Sequence, residues 1–280
     1  MKPILVYQTD FTYKEGAVCA MYGVVKSVDR ELEIIDGTHE IPKFDTWSAS
    51  YRLYQSMKFW PKGTIFVSVV DPGVGTKRRA SVALTSDGYT IVTPDNGSLT
   101  HVKHFMGIAA IREIDESINR LKGKSTEDVS VFHGRDLFSY CAARLASGII
   151  TFDEVGPEYA VDSIIMHTIL EPNFYENIAR GIVEINDPNF GNLWTNFPLK
   201  DFQEAGFDFG NRFHVTIRHD GQVVFSQKLL FERSFGFAET GEPMIYNNEL
   251  NRIGLAVNHG SFSELYQIGH GPEWQVEISK

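Results

Sequence analysis

Ile65-Phe66-Val67-Ser68-Val69-Val70-Asp71-Pro72-Gly73-Val74-Gly75-Thr76-Lys77-Arg78-Arg79 is the stretch on which the reading turns. Its first six residues are nearly all β-branched or aromatic and read as a buried strand. An acid ends the strand. Two glycines then let the backbone turn tightly beside a ligand, and two arginines follow. No Gly-Lys-Ser/Thr follows, so this is not a Walker A loop, and no Gly-x-Gly-x-x-Gly opens a helix anywhere in the chain.

Outward from this segment the same grammar repeats. Ile4 to Tyr7 reads as a strand leading to Thr9-Asp10, Leu32 to Ile35 as one leading to Asp36, and Ile91 to Thr93 as one leading to Pro94-Asp95. Ala17, Val18, Met21, Val24, Val25 and Val28 recur at helical spacing. Asp45, with Phe44 before it, reads as the N-cap of a helix through Trp47, Tyr51, Tyr54 and Met57. Ser81–Leu84 and Tyr89–Val92 flank Ser86-Asp87-Gly88, a hairpin signal. Val129–Phe132 reads as a strand and Asp136–Ala146 as a helix closed by Gly148. Such alternation predicts an α/β domain with a largely parallel sheet over residues 1–167. Asp10, Asp36, Asp71 and Asp95 would then share the carboxyl edge of the sheet, where open α/β sheets bind ligands. Taken singly, each serves equally well as a turn cap.

From about Gly181 the pattern turns all-β. His214–Arg218 and Val223–Phe225 bracket Asp220-Gly221, a second hairpin signal, and Ile253–Val257 and Trp274–Ile278 are further short strands. A smaller, barrel-like β domain is expected over residues 180–280. Residues 168–179, with Glu171-Pro172-Asn173, read as a linker.

The chain has 280 residues, and 26 Lys+Arg against 36 Asp+Glu leave a net charge of −10, which disfavours nucleic acid as a partner. A hydrophobic share of 42% excludes a disordered chain. Two distant cysteines, Cys19 and Cys141, suit neither a disulfide scaffold nor a structural zinc site. No apolar run spans a membrane and the start lacks a leader-like run, so a cytoplasmic protein is expected. His101 and His104, three apart, read as a solvated helical face.

Two further clusters carry chemistry. In Phe132-His133-Gly134-Arg135-Asp136, a histidine at a strand–helix junction suits a general base or an orienting group, or a purely structural residue. Asp187-Pro188-Asn189-Phe190-Gly191-Asn192-Leu193-Trp194-Thr195-Asn196 gathers an acid, amides and two aromatics. Aromatic faces can sandwich a purine, an amide can read its edge, and the acid can receive an ammonium. The plainer reading is a turn between strands with two core aromatics.

In order and spacing, these pieces resemble the S-adenosyl-L-methionine (SAM) hydroxide adenosyltransferases, the SAM hydrolases, whose relatives include fluorinase and chlorinase. The matching pieces are Thr9-Asp10-Phe11, Asp36-Gly37-Thr38-His39-Glu40-Ile41, Val69 through Thr76 with Arg78-Arg79, Pro94-Asp95-Asn96-Gly97, Phe132 through Asp136, and Asp187 through Asn196. They span residue 4 to about 260. The resemblance implies hydrolysis of SAM to adenosine and methionine without a cofactor, SAM being the substrate. It implies a homotrimer with SAM held between the N-terminal domain of one subunit and the C-terminal domain of the next. It implies that Asp71, Arg78 and His133 position and activate water. Asp10 would take the ribose hydroxyls, and Phe44 would pack on the substrate where relatives often carry tryptophan. Asp187 would hold the methionine ammonium and Asn192 the adenine, between Phe190 and Trp194.

Halogenating relatives carry tyrosines where this chain has Asp71 and His133, and fluorinase has an extra loop between Gly75 and Pro94, so the resemblance favours the hydrolases. One element departs. Where relatives usually show Asn-Ser-x-Gly near the methionine carboxylate, this chain has Asn247-Asn248-Glu249-Leu250-Asn251, with no serine. Two other functions compete. Asp10, Asp36, Asp71 and Asp95 would hold magnesium or manganese in a phosphoesterase. A silent adenosine- or SAM-binding module would bind without turnover.

Overall fold

A computed structural model of the chain describes residues 2–123 and 131–280. It divides into two compact units, Met1–His167 and Thr168–Lys280. In the first unit, β1 (Leu5–Thr9), α1 (Ala17–Val28), β2 (Ile34–Thr38), α2 (Thr46–Met57), β3 (Ile65–Val69), β4 (Ala80–Thr85), β5 (Thr90–Pro94), α3 (Thr100–Phe105), β6 (Ile108–Glu113), α4 (Glu116–Asn119) and α5 (Tyr140–Ala146) follow in order. The strands lie in the order β2-β1-β3-β5-β4-β6. β2, β1, β3 and β5 pair in parallel, and β4 runs against both its neighbours.

β1 and β3 are buried along their whole length because helices cover both faces of the sheet. On one face Leu5, Tyr7 and Val67 pack against Met21 and Val25 of α1 and Ala142 of α5. On the other, Val6 and Phe66 meet Leu53 and Met57 of α2 and Val102 of α3. The helix expected from Ala17 to Val28 forms over those bounds, its apolar stripe inward. Asp45 caps α2 by accepting the Ser48 N–H at 2.9 Å.

Three details differ from the sequence reading. β2 begins at Ile34, so Asp36 lies inside the strand, opposite Tyr7, and not at its end. His101 is fully buried, edge-on to Trp47 and Tyr51 and bonded to Ser50, while only His104 faces outward. The strand expected at Val129–Phe132 starts outside the described residues, and Val131 and Phe132 are not extended into one. Helical backbone begins earlier than Asp136, as a π-helical turn over Gly134–Ser139 that runs into α5.

The second unit contains β7 (Asn173–Tyr175), β8 (Ile178–Asn186), β9 (Leu193–Pro198), α6 (Leu199–Glu204), β10 (Arg212–His219), β11 (Gln222–Glu232), β12 (Pro243–Asn247), β13 (Arg252–Val257), α7 (Phe262–Tyr266) and β14 (Trp274–Ser279). The order β14-β10-β11-β12-β13-β9-β8 closes on itself through β14–β8, giving a seven-stranded barrel. β7, within the segment read as a linker, pairs with β8 outside that ring. Alternate residues point inward, as Phe213, Val215 and Ile217 do on β10. Much of the interior is phenylalanine, with the Phe202 and Phe207 rings stacked 4.4 Å apart. Asp220 and Gly221, both at positive φ, make the tight turn of the β10–β11 hairpin.

Candidate active site

β3 delivers Asp71 to the carboxyl edge of the sheet. The loop that follows folds back in two turns, the Val74 N–H bonding the Asp71 carbonyl at 3.3 Å and the Thr76 N–H the Gly73 carbonyl at 3.1 Å. Gly75 adopts φ +75°, a conformation that side chains resist. The loop thereby returns Arg78 to Asp71. Arg78 Nε donates to both carboxylate oxygens at 3.0 and 3.1 Å, and Nη2 to Oδ2 at 2.6 Å. Nη2 also donates to Nδ1 of His133 at 2.8 Å. The guanidinium stands over the Phe138 ring at 5.3 Å. His133 opens the π-helical turn, a rare geometry that recurs at functional sites. Burial and the Arg78 charge hold its imidazole below the ordinary histidine range.

Asp10, at the end of β1, is buried, and Oδ2 accepts the Phe44 N–H at 2.9 Å. Burial raises its carboxyl above the ordinary range against the pull of that N–H, and Asp71 adds to the rise. Phe44 sits at φ +66° and is 67% exposed. The structure therefore assembles Asp71, Arg78 and His133 by direct contact, with Asp10 and Phe44 as a second pair.

The other two aspartates do not join a carboxylate cluster. Asp95 is buried and taken up by Arg79 at 2.8 Å, by the Tyr159 hydroxyl and by the Ile165 N–H. Asp36 engages Tyr22 and His39. Among the described residues no three His, Cys, Asp or Glu side chains come together as a set that could hold a metal ion.

In the second unit the Asp187–Asn192 loop closes on itself. The Asp187 N–H bonds the Asn192 carbonyl at 2.8 Å, and Oδ1 of Asp187 accepts from Asn189 and Phe190. A cavity of about 510 Å³ opens beside it, lined by Phe190, Asn192, Phe235, Asn258, His259 and Ser261 among others. Gly191 is required here, since a Cβ at its φ of +69° would collide with Ser261.

Trp194 does not line this cavity. It is buried in β9 and donates its indole N–H to the Tyr246 hydroxyl at 2.9 Å. The second aromatic wall is Phe235, whose ring lies 5.0 Å from Tyr246. Sequence reading missed Phe235 and Asn258 to Ser261. Their one local signal is the Asn258-His259-Gly260 turn, with His259 at φ +57°. In the departing element, Asn248 Oδ1 accepts the N–H groups of Leu250 and Arg252, so its side chain shapes the turn. Burial raises the Tyr246 hydroxyl, and the charges of Asp187 and Glu249 add to the rise.

An α/β unit with a carboxylate–guanidinium–imidazole contact, followed by a closed barrel with an aromatic-walled cavity, defines a two-domain class of ligand-processing protein. The chain belongs to the SAM hydroxide adenosyltransferase family. The profile of that family's N-terminal domain matches residues 5–156, and the profile of its C-terminal domain matches residues 181–275. A Methanocaldococcus jannaschii protein named (R)-S-adenosyl-L-methionine hydrolase is 32% identical over 83% of this chain and 80% of its own length. A fluorinase from an Actinoplanes species is 25% identical over 96% of this chain and 95% of its own. A crystal structure of an uncharacterized conserved protein from Thermotoga maritima superposes with a TM-score of 0.87 at 32% identity, covering 99% of this chain and 100% of the other.

Proposed function

We infer that this chain hydrolyses SAM to adenosine and L-methionine by attack of water at the ribose C5′. The observation that carries the reading is the Asp71–Arg78–His133 contact in a chain that matches both domain profiles of the family. The water oxygen forms a bond to C5′ while the C5′–S bond breaks with its electron pair going to sulfur. The leaving group is a neutral thioether, so no general acid is needed. What the site must supply is alignment of the water, which alone can contribute up to about 7–11 kcal/mol, and removal of its proton.

The Arg78 contact gives those duties a direction. An imidazole nitrogen that accepts from a guanidinium carries no proton, so neutral His133 holds its hydrogen on Nε2. We assign Nε2–H to orienting the water and Asp71 to receiving the proton, with Arg78 stabilising the developing hydroxide. Asp10 holds the ribose hydroxyls and Phe44 packs against the sugar. Asp187 receives the methionine ammonium. Asn192 reads the adenine between Phe190 and Phe235, and Trp194, buried in the strand behind, donates to the Tyr246 hydroxyl.

A homotrimer belongs to the same proposal. Its support is that the aromatics beside both half-sites, Phe44 at 67% and Phe190 at 65%, lie exposed on one chain. So does a cytoplasmic setting, supported by two cysteines that stay free. Among the described residues no helix is long and apolar enough to cross a membrane. The name of the Methanocaldococcus relative specifies the R configuration at sulfur. Carried to this chain, it makes the (R) epimer the preferred substrate.

The test is incubation of purified protein with each sulfur epimer of SAM in heavy-oxygen water, with excess chelator. Adenosine carrying the label at its 5′ oxygen is the expected product. Intact SAM, or adenosine without label, overturns the reading.

A further inference from the structure

We propose that His39 is a positioning residue for Asp10, acting through the hydroxyl of Thr9. The proposal rests on the reading that Asp10 holds the ribose hydroxyls.

The hydrogen bonds around His39 form a chain in which every donor has one direction. The Phe11 N–H donates to Thr9 Oγ1 at 3.1 Å, a turn that brackets Asp10. Thr9 Oγ1 lies 2.8 Å from His39 Nδ1. His39 Nε2 lies 3.2 Å from Asp36 Oδ1 and 2.9 Å from the Tyr22 hydroxyl, which itself bonds Asp36. A carboxylate only accepts, so Nε2 carries the hydrogen. In the neutral imidazole Nδ1 is then the acceptor, and Thr9 gives it the hydroxyl proton. The hydroxyl is thus committed on both sides, receiving from Phe11 and donating to His39.

The backbone repeats the clamp. The Thr12 N–H bonds the His39 carbonyl at 2.8 Å, and the Ile41 N–H the Thr9 carbonyl at 3.3 Å. The strand of chain from His39 continues to Phe44, whose N–H aims the Asp10 carboxylate. His39 therefore fixes both the backbone that carries Asp10 and the donor that orients it. The groups facing His39 are Asp36, Tyr22, Glu40 and the edge of the Tyr13 ring at 4.9 Å. Burial is the larger influence on its imidazole and favours the neutral form that this chain requires.

The experiment compares kcat/KM for SAM and for its 2′-deoxy analogue. Wild type should prefer the ribose substrate by about ten-fold or more, the worth of a charged hydrogen bond. Thr9→Val, which keeps shape and loses the hydroxyl, and His39→Phe should compress that ratio to near one, mainly through KM. Thr9→Ser should preserve it. If Asp10→Ala compresses the ratio while Thr9→Val and His39→Phe leave it intact, the positioning role is overturned. If Asp10→Ala itself leaves the ratio intact, the ribose reading of Asp10 is overturned and the positioning role falls with it.

Discussion

Nη2 of Arg78 lies 2.8 Å from Nδ1 of His133, and the same guanidinium grips both oxygens of Asp71. One cation thus sets the hydrogen position on the imidazole and holds the carboxylate by both its oxygens.

Arg78→Lys keeps the charge and loses the fork, so it cannot serve both neighbours. Turnover should fall by about 10²–10³, the usual cost of one electrostatic stabiliser, with SAM affinity changed far less. Single-turnover kinetics beside equilibrium binding measure the two. Equal loss in both would sink the assignment of Arg78 to the transition state.

The acidic limb of the pH profile reports on His133. Its folded pKa lies below the ordinary 6.5, because burial and Arg78 disfavour the charged ring. The unfolded chain takes up this proton first, so stability falls as pH drops below that value. Activity should hold through the ordinary imidazole range and decline only at lower pH. His133→Asn should be slow yet lack this limb. A limb unchanged in His133→Asn would overturn the His133 reading and assign the limb to Asp10, whose carboxyl burial raises.

The cavity beside Asp187 predicts separable losses. Phe235→Ala should weaken adenosine binding by about 1–3 kcal/mol, the range for base stacking on an aromatic ring. Asn192→Ala should cost about ten-fold or less, as one neutral hydrogen bond does. Trp194→Phe, outside the cavity, should leave adenosine affinity within two-fold, roughly the scatter of distant substitutions. Calorimetry with adenosine decides all three.

Chloride should not replace water. Under the proposed assignment the buried Asp71 carboxylate borders the position of the attacking nucleophile, and like charges at contact repel strongly away from water. With saturating sodium chloride, chromatography should show adenosine and no 5′-chloro-5′-deoxyadenosine. Appearance of the chlorinated nucleoside would refute the electrostatic argument.

Glu184 offers a stability readout within the second unit. Buried in the second unit beside Arg252, its carboxyl is pushed from 4.5 up to about 7. The folded chain therefore holds a proton that the unfolded chain has released between those values, and stability falls as pH rises across the window. Melting curves at pH 5 and 8 should show a drop for wild type that Glu184→Gln flattens. An unchanged slope would place the cause elsewhere.

Features written in neighbouring residues are legible in the sequence alone. The Ala17–Val28 stripe, the Asp45 cap and the Asp220-Gly221 turn all depend on a few consecutive positions, whereas the grouping of Arg78 with Asp71 is implied only by the family resemblance. The aspartate pattern was only partly legible. Strand ends can be read, but whether a carboxylate meets a ligand or a structural arginine, as Asp95 meets Arg79, depends on which side chain returns from elsewhere. The place of Trp194 was illegible for a related reason. Two aromatics four apart look alike in sequence, yet Phe190 sits in a loop and Trp194 within a strand. Phe235 and Ser261 reach the cavity only because a barrel closes, and no local pattern announces that.

The closure itself has a practical side. β14 is hydrogen-bonded to β10 along one flank and to β8 along the other, so six residues stitch both seams of the barrel. Cutting the chain before Trp274 would leave two bare edges, each a row of unsatisfied backbone groups that invites self-association. The same geometry makes the gap a docking slot for one extended peptide. A fragment ending before Trp274 and a synthetic strand spanning 274–279 form a natural split pair, in which barrel assembly becomes a bimolecular event.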